Sequence, residues 1–173
     1  LMTVVGIAGC TALMTAGFGI KNSIESLIHN QYGELIHYDS VATFTDGVTQ
    51  EDMDTLEGDL SADGHIDDFL LNCGYSDDVK SSEDTETAEY VIVDDKNAFK
   101  DYVTLRTRRK HNDVVLGDSG VVITEKLSKD LGIKKGDKIT VTSSTGKQTE
   151  AVVSGITEMY VNHYIYILSL IHI

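Results

Sequence analysis

The sequence contains neither proline nor tryptophan, it has only two cysteines, and it is poor in basic residues. Fourteen Lys and Arg residues stand against 28 Asp and Glu residues, which gives a formal net charge of −14 at pH 7. A phosphate backbone would be repelled over most of such a surface, so nucleic acid is excluded as a partner. The cysteines are Cys10, inside a long apolar run, and Cys73, far along the chain. They cannot pair if that run lies in a membrane, which excludes a disulfide framework.

Motifs for catalysis are also scarce. No P-loop is present, so this chain alone is not expected to hydrolyse a nucleotide. The six histidines lack the spacing of a zinc site, in which two histidines one helical turn apart flank a glutamate. The segment Gly117–Gly120 resembles the nucleophile motif of trypsin-like serine proteases, but Val121 and Val122 follow where that motif continues with glycine and proline. A turn that leads into a strand explains these residues better, and we expect no catalytic residue and no cofactor.

The segment "DLSADGHIDDFL" resembles an EF-hand calcium loop. The residue types fit the first, third, fifth, sixth and ninth positions of such a loop, which are Asp59, Ser61, Asp63, Gly64 and Asp67. The twelfth position supplies a bidentate carboxylate in calcium loops, and here it is Leu70. We therefore interpret the segment as a helix end, a glycine turn and the start of a strand, with no metal.

The first twenty residues, "LMTVVGIAGCTALMTAGFGI", carry no charge. At about 1.5 Å per residue, a helix of that length covers the roughly 30 Å hydrocarbon thickness of a bilayer. Ala8, Ala12 and Ala16 recur every four positions and so lie on one helical face, where a neighbouring helix can approach closely. We predict a membrane-spanning helix; the alternatives are a signal peptide and a core helix of a soluble protein. The helical pattern continues beyond Lys21, which indicates a transmembrane helix and stalk over residues 1–29.

The residues that follow the apolar run predict its orientation. Between residues 21 and 40 there is one basic residue, Lys21, against three acidic residues, Glu25, Glu34 and Asp39. Positive charge is kept on the cytoplasmic side of membrane helices, so this end of the helix is expected to point away from the cytoplasm. We therefore predict that the protein lies in the cell membrane, with residues from about 30 onward extracytoplasmic.

The predicted extracytoplasmic domain covers residues 30–167, and its first part shows several local patterns. Apolar and aromatic residues on one face predict a strand over residues 35–44. Thr49 is a predicted N-cap for the helix in "TQEDMDTLEGDL", where Met53, Leu56 and Leu60 follow at helical spacing. Further predicted elements are strands at residues 66–73 and 89–93, a polar and acidic loop or hairpin tip at 74–87, and a short helix at 97–105.

The last third of the chain alternates strands with one helix. A strand at Val121–Ile123 leads to a two-turn helix that Thr124 is predicted to cap, with Leu127 and Leu131 facing inward and Gly132 ending it. Strands follow at residues 138–142, 148–156 and 159–167, the first two joined by a hairpin turn at 143–147. Strands and helices mix without a regular βαβ period, so we assign an α+β fold with antiparallel strands and short helices. Residues 168–173 do not continue the pattern, and we interpret them as a truncated or non-native tail.

One stretch of the acidic chain is basic. The segment "LRTRRKH" holds Arg106, Arg108, Arg109 and Lys110, four of the fourteen basic residues. As an interaction patch it could bind anionic lipid headgroups, a cell-wall polymer or an acidic partner. The alternative is a solvated loop that offsets nearby acidic residues.

Two stretches carry a family resemblance through their order and separation. They are "MTVVGIAGCTALMTAGFGIKNSI" at residues 2–24 and "GVVITEKLSKDLGIKKGDKITV" at residues 120–141. The first is similar to the first transmembrane helix, and the second to part of the extracytoplasmic domain, of FtsX/MacB-type permease subunits of bacterial ABC transporters. The resemblance spans residues 2 to about 167, and the acidic region between the two stretches resembles the family only in its general character.

The resemblance implies a domain like the MacB periplasmic core and a permease that is not itself an enzyme. A separate cytoplasmic ATPase subunit would drive the permease helices, and the extracytoplasmic domain would move in response, for export or for mechanotransmission. Ala8, Ala12 and Ala16 would then pack within the membrane lipid in a permease bundle, dimer or pseudo-dimer, and Lys21–Asn30 would form a stalk. The alternative is a single-span, membrane-anchored extracellular binding or adhesion domain without an ATPase. A membrane-tethered hydrolase would need an acid, a base and a nucleophile in one pocket, and the sequence offers no such set.

Overall fold

The computed structural model describes residues 2–44, 48–81, 84–142 and 146–168. Within these ranges it contains a long N-terminal helix, a closed barrel of six strands, and short helices and loops around the barrel. An N-terminal apolar helix followed by a sheet-rich domain with short helices is the arrangement that the sequence predicted. The α+β assignment is therefore confirmed.

Helix α1 covers Met2–His29 and continues directly into a π-helical segment, Asn30–Leu35. Together they form a run of 34 residues, Met2–Leu35, that is long and apolar enough to cross a membrane by length and composition. No residue of α1 is buried against the rest of the described protein. The apolar surface of α1 is therefore available to a bilayer or to other helices.

The six strands form a single closed sheet. They are β1 (Cys73–Lys80), β2 (Thr85–Val93), β3 (Val121–Thr124), β4 (Lys138–Thr142), β5 (Gln148–Thr157) and β6 (Tyr164–Leu168). Their order around the barrel is β1-β2-β6-β3-β5-β4, and the pairing of Lys80 with Thr140 closes it. Four of the six strand pairs are antiparallel, while β2–β6 and β3–β5 are parallel. The sheet thus contains the predicted antiparallel strand pairs together with two parallel pairs.

Among the described residues, three further α-helices follow the π-helical segment. They are α2 (Gln50–Ala62), α3 (Lys96–Tyr102) and α4 (Glu125–Asp130). Leu127 and the adjoining Leu131 are buried in the barrel core, as predicted, and Gly132 has the expected positive φ of 66°. The predicted cap by Thr124 is wrong in detail, because its side chain makes no capping bond. Its hydroxyl oxygen instead accepts a hydrogen bond from the Tyr164 backbone N–H, 3.4 Å away.

Two apolar cores lie on opposite sides of the sheet. Side chains that alternate along the strands fill the barrel interior, including Val79, Tyr90, Ile123, Val141, Val153 and Ile165. A second core covers the outer side of β2, β3 and β6, where Leu35, Phe99, Val103 and Leu116 pack on Val122 and Tyr166. The second core is the one that receives the end of the long helix.

Two predicted strands are wrong. Residues 37–44 form no strand, and Ile36 makes only an isolated bridge to Val103. Residues 66–72 likewise carry no strand, and pairing starts at Cys73. The closed barrel explains the first error, because a closed sheet has no free edge at which a further strand can pair. The second error has a different cause: Cys73 pairs with Ile92, and β2 ends at Val93, so the residues before Cys73 have no partner strand.

Other predicted boundaries shift with the barrel pairing. The acidic loop predicted at 74–87 is mostly the β1–β2 hairpin, whose tip includes Ser81 and Asp84. The strand predicted at 159–167 begins only at Tyr164, because Asn162 adopts a φ of 62° and the residues before it leave the sheet. Helix α3 ends before the predicted residue 105, since Val103 pairs with Ile36.

The remaining predicted elements agree with the structure. Helix α2 and strands β3, β4 and β5 lie where the patterns placed them. Strand β6 includes Leu168, which pairs with Val93 and is buried, so the sheet extends one residue into the range interpreted as a tail. Residues 169–173 of that range, and residues 143–145 of the predicted hairpin turn, lie outside the described residues.

Candidate coupling site at the helix–barrel junction

The π-helical segment seats the end of the long helix in the second core. Leu35 is 0 % exposed and Gln31 is 1 % exposed. The segment closes with a hydrogen bond from the Ile36 N–H to the Gln31 carbonyl, at 2.9 Å. This five-residue spacing is the π-helical pattern, which occurs mostly as single turns and often at functional sites. Here it accompanies the burial of one polar and one apolar side chain against the domain.

Polar side chains of the segment bind the loop between β5 and β6. The Gln31 side-chain oxygen accepts a hydrogen bond from the Tyr160 backbone N–H at 2.8 Å, and its amide donates to the Met159 sulfur at 2.9 Å. The Asn30 amide donates to the Tyr160 hydroxyl at 3.1 Å. The buried Gln31 side chain therefore keeps its hydrogen bonds only while the helix end remains docked on the domain. Without these bonds its buried polar atoms would carry a desolvation cost.

The backbone after the helix is tied to the chain that follows α3. The Thr104 N–H donates to the Leu35 carbonyl at 2.8 Å, and the His37 N–H donates to the Tyr102 carbonyl at 2.9 Å. Between these two bonds lies the bridge of Ile36 to Val103. The helix end is thus held on one side by the β5–β6 loop and on the other by residues 102–104.

Arg106 joins the helix to the barrel through two carboxylates. Its Nε donates to Glu158 Oε2 at 3.0 Å, and its Nη2 donates to Glu34 Oε2. The side chain of Arg106 is 13 % exposed, that of Glu158 is 3 % exposed and that of Glu34 is 38 % exposed. The other carboxylate oxygen of Glu158 accepts a hydrogen bond from the Tyr160 hydroxyl. A buried charge with this set of partners is compensated, whereas removal of one partner would leave an unpaired charge.

The backbone of Arg106 is fixed to the end of β5 independently of the helix. The Arg106 N–H donates to the Thr157 hydroxyl oxygen at 3.1 Å, and the Glu158 N–H donates to the Arg106 carbonyl at 2.7 Å. The guanidinium is therefore presented from the barrel, and Glu34 is the member of the ion-pair network that belongs to the helix. The helix end is thus docked on the domain, and the ion pair between Arg106 and Glu34 crosses this junction.

The structure divides the four basic residues that the sequence grouped. Arg106 is buried in the junction, while Arg108 lies 3.5 Å from Glu125 and 5.1 Å from the centre of the Tyr160 ring. Arg109 and Lys110 are exposed, and neither has a carboxylate within 4.0 Å in the part of the chain that the structure describes. Arg106 is thus set apart from the three exposed residues Arg108, Arg109 and Lys110, and an interaction patch of these residues stays a prediction.

Sequence reasoning missed the acidic and amide residues of the junction. One sequence feature pointed towards Gln31 and Glu34: the helical pattern continues past Lys21, which predicts that a helix runs into the domain. No feature pointed towards Glu158 and Tyr160, because they fell at or next to a predicted strand. The small-residue face of Ala8, Ala12 and Ala16 is exposed along α1 and contacts none of these groups.

Two motifs noted in the sequence have structural explanations. The segment Gly117–Gly120 is a turn into β3, as expected; Gly120 has a φ of 84°, and a Cβ there would lie 2.5 Å from the Val152 carbonyl oxygen. In the EF-hand-like segment, the Asp63 carboxylate accepts a hydrogen bond from the His65 N–H at 2.9 Å. Over residues 2–44, 48–81, 84–142 and 146–168, no group of three or more His, Cys, Asp or Glu side chains could hold a metal ion.

Comparison with known proteins identifies the family. A search among curated proteins found no match. The model of one family, the MacB-like periplasmic core domain, matches residues 1–168. This range includes helix α1, the junction and all six strands of the barrel. The resemblance to FtsX/MacB-type permeases is confirmed, and the chain belongs to the family of MacB-like periplasmic core domains.

Proposed function

We propose that this chain is part of the permease subunit of an ABC transporter, and that its junction carries movement of helix α1 into the barrel domain. A partner cytoplasmic ATPase would supply the movement, and the chain itself would catalyse nothing. In this proposal residues 1–29 are the transmembrane helix and stalk, and residues 30–167 are the extracytoplasmic domain. The observation that carries the proposal is the burial of Gln31 and Leu35 in the domain at the end of helix α1, none of whose own residues is buried.

The contacts at the junction favour transmission of movement over bending. If the helix turned or shifted alone, Leu35 would leave the second core, at a cost of about 1.5–3 kcal/mol for exposing one such side chain. Gln31 would lose its bonds to the Met159–Tyr160 loop, and Arg106 would lose Glu34. All of these contacts belong to the Asn30–Leu35 segment, and a movement of the helix alone would break them together. We therefore expect the barrel to move with the helix as one rigid body.

The exposed part of the helix can act as a lever. From Ile20, the last residue of the uncharged run, to Leu35 a helix rises about 22 Å. A tilt of the helix in the membrane would therefore displace the barrel by a distance that grows with this length. Such displacement could serve either export of a substrate or mechanotransmission to an extracytoplasmic partner.

The small-residue face fits contact with other helices of the permease. Ala8, Ala12 and Ala16 lie on an exposed face of α1, and small residues at this spacing let two helix backbones approach closely in lipid. We propose that this face packs in the permease bundle, in a dimer or a pseudo-dimer, and that the barrel lies outside the cytoplasm. Membrane lipid would cover the rest of the helix.

Two distances measured in the same protein test the proposal. The complete permease subunit, with C10A and C73S, would be reconstituted in a bilayer with its ATPase partner. Spin labels at S26C, on the exposed end of α1, and V152C, on β5, report the helix–barrel distance. A fluorophore at V152C and acceptor lipids report the height of the barrel above the bilayer. The control is an ATPase variant that cannot bind nucleotide.

We expect ATP to change the height of the barrel while the distance between residues 26 and 152 stays constant. A change in the 26–152 distance would show that the junction bends, which contradicts transmission through it. A barrel that responds to no nucleotide state would contradict the proposal as a whole. That result would favour the single-span, anchored binding or adhesion domain.

A further inference from the structure

Two cations next to the junction have no counterion in the described structure. Arg109 and Lys110 are exposed at the tip of a turn, and no described carboxylate lies within 4.0 Å of either. Their neighbours in the sequence differ, since Arg106 is bound to two carboxylates and Arg108 pairs with Glu125. Lys80, Lys100, Lys134 and Lys135 likewise have no described carboxylate within 4.0 Å, so what distinguishes Arg109 and Lys110 is their place beside the junction.

The turn that carries them is held in place by its own hydrogen bonds. The Thr107 N–H donates to the Asn112 carbonyl at 2.9 Å, and the His111 N–H donates to the Thr107 carbonyl at 2.9 Å. The Asn112 N–H also donates to the Thr107 hydroxyl oxygen at 3.1 Å. Directly beyond these bonds, the backbones of Arg106 and Asp113 form an isolated antiparallel β-bridge. Arg109 and Lys110 therefore project from a defined position on the domain surface.

That position is beside the end of the membrane helix. Arg106, at the base of the turn, bonds Glu34, and Arg108 lies over the Tyr160 ring, whose hydroxyl accepts a bond from Asn30. Because no residue of α1 is buried and burial begins at Gln31, the surface around Asn30 and Glu34 is the part of the domain nearest the membrane in this proposal. The turn is on this membrane-proximal side.

The distance to the bilayer is short enough for electrostatic attraction. From Ile20 to Glu34 the helix rises about 21 Å, of which the headgroup layer takes roughly 5–8 Å. Helix tilt shortens the remaining gap, and the long arginine and lysine side chains cover part of it. What remains is comparable to the Debye length of about 8 Å at physiological ionic strength. Basic residues at such a surface are attracted to anionic lipids, while the acidic remainder of the domain is repelled.

We propose that Arg109 and Lys110 bind anionic phospholipid headgroups of the membrane that α1 spans, and so set the resting orientation of the barrel. This inference rests on the proposed membrane insertion of α1, but not on the ATPase. Of the anionic partners that the sequence left open, lipid headgroups are favoured by the place of the turn beside the helix end.

The test uses the full chain, with C10A and C73S, in lipid nanodiscs. A fluorophore at N112C, whose side chain is exposed, is quenched by headgroup-labelled lipids in discs of phosphatidylcholine alone or mixed with phosphatidylglycerol. Comigration of the chain with the discs establishes insertion first, so failure to insert is distinguished from failure to bind headgroups. The variant is R109Q/K110Q, and the charge-matched control is K134Q/K135Q, an exposed lysine pair in the turn before β4.

We expect stronger quenching in the anionic discs, loss of that increase at high salt, and its loss in R109Q/K110Q but not in K134Q/K135Q. Equal quenching in both lipid compositions would overturn the proposal. An equal loss in both double variants would also overturn it, because net charge alone would then explain the effect. If soluble poly-glutamate bound the turn while lipid composition had no influence, the residues would be assigned to an acidic protein partner instead.

Discussion

The end of helix α1 and helix α2 are two helical segments that relate to the barrel domain in opposite ways. The Asn30–Leu35 segment is an irregular π-helical turn without a side-chain cap, yet Gln31 and Leu35 are buried. Helix α2 is regular, and it begins with a complete capping box between Thr49 and Asp52. None of its residues is buried.

This difference separates two properties of a helix: its local stability, and its attachment to the rest of the domain. Local hydrogen bonds decide whether α2 forms, since Thr49 Oγ1 accepts from the Asp52 N–H at 3.3 Å and the Asp52 carboxylate accepts from the Thr49 N–H at 2.9 Å. Contacts with residues remote in sequence decide whether a helix is part of a rigid body. Of the two segments, the end of α1 has such contacts through buried side chains, whereas none of the α2 residues is buried, so the end of α1 is the one suited to carry movement into the barrel.

The largest effect is expected from R106M. This change leaves the buried Glu158 carboxylate without its guanidinium partner, and breaking a buried pair from one side costs about 3–5 kcal/mol. The free energy of unfolding of the detergent-solubilised chain should fall accordingly, measured by denaturant titration and tyrosine fluorescence. R106M/E158Q should recover part of the loss, because it removes the orphaned charge. Equal stability of R106M and the parent protein would show that the charged bond contributes nothing to the junction.

A matched pair of leucines tests the comparison directly. L35A removes a fully buried side chain, and such changes cost about 2–5 kcal/mol. L56A makes the same change in α2, where the side chain is half-buried and contributes to no apolar core among the described residues. The melting temperature should drop clearly for L35A and little for L56A. Similar drops in the two variants would mean that α2 packs on the domain after all.

The parts of the fold that sequence predicted well are those with local causes. Thr49 and the acidic first turn predicted α2, and the spacing of Leu127, Leu131 and Gly132 predicted the helix and turn before β4. The predicted strand at 35–44 failed because its first apolar residues pack on the outside of a closed barrel, which offers no edge for pairing, while Val41 and Phe44 are exposed. Closure depends on the pairing of Lys80 with Thr140, sixty residues apart, and no local pattern reveals it.

The candidate site was predictable only in part, for the same reason. The cluster of basic residues drew attention to Arg106, but its partners lie far away in sequence, 72 residues to Glu34 and 52 residues to Glu158. The charge run therefore pointed to Arg106, but not to the two carboxylates that it binds in the junction. The stalk was predicted because helical periodicity continues from residue to residue, whereas the seat that receives it combines three separate segments.

A smaller and more local effect is expected from T49A. Loss of the N-cap should destabilise α2 by about 1 kcal/mol, and hydrogen exchange of its backbone amides should become faster. Because α2 has no buried residue, the melting temperature of the barrel should not change. T55A is the matched control, since Thr55 lies within the helix and its hydroxyl donates only to the Glu51 carbonyl. A lower barrel melting temperature in T49A would contradict the independence of α2.

The smallest effect is a dependence of α2 on pH. Hydrogen bonds from the Thr49 hydroxyl and backbone N–H lower the pKa of the Asp52 carboxyl below its usual value of about 3.9. Because the pKa is lowered in the helical state, Asp52 stabilises α2 above the usual pKa, and this stabilisation is lost as the pH falls through the lowered one. Carboxyl NMR titration should give a midpoint below 3.9 in the parent chain and closer to it in T49A. Exchange protection of the α2 amides, corrected for the intrinsic rate, should decrease over the same acidic range. In D52N that decrease should be absent; if it persisted, the acid sensitivity of α2 would come from another carboxylate, and the capping box would not be its cause.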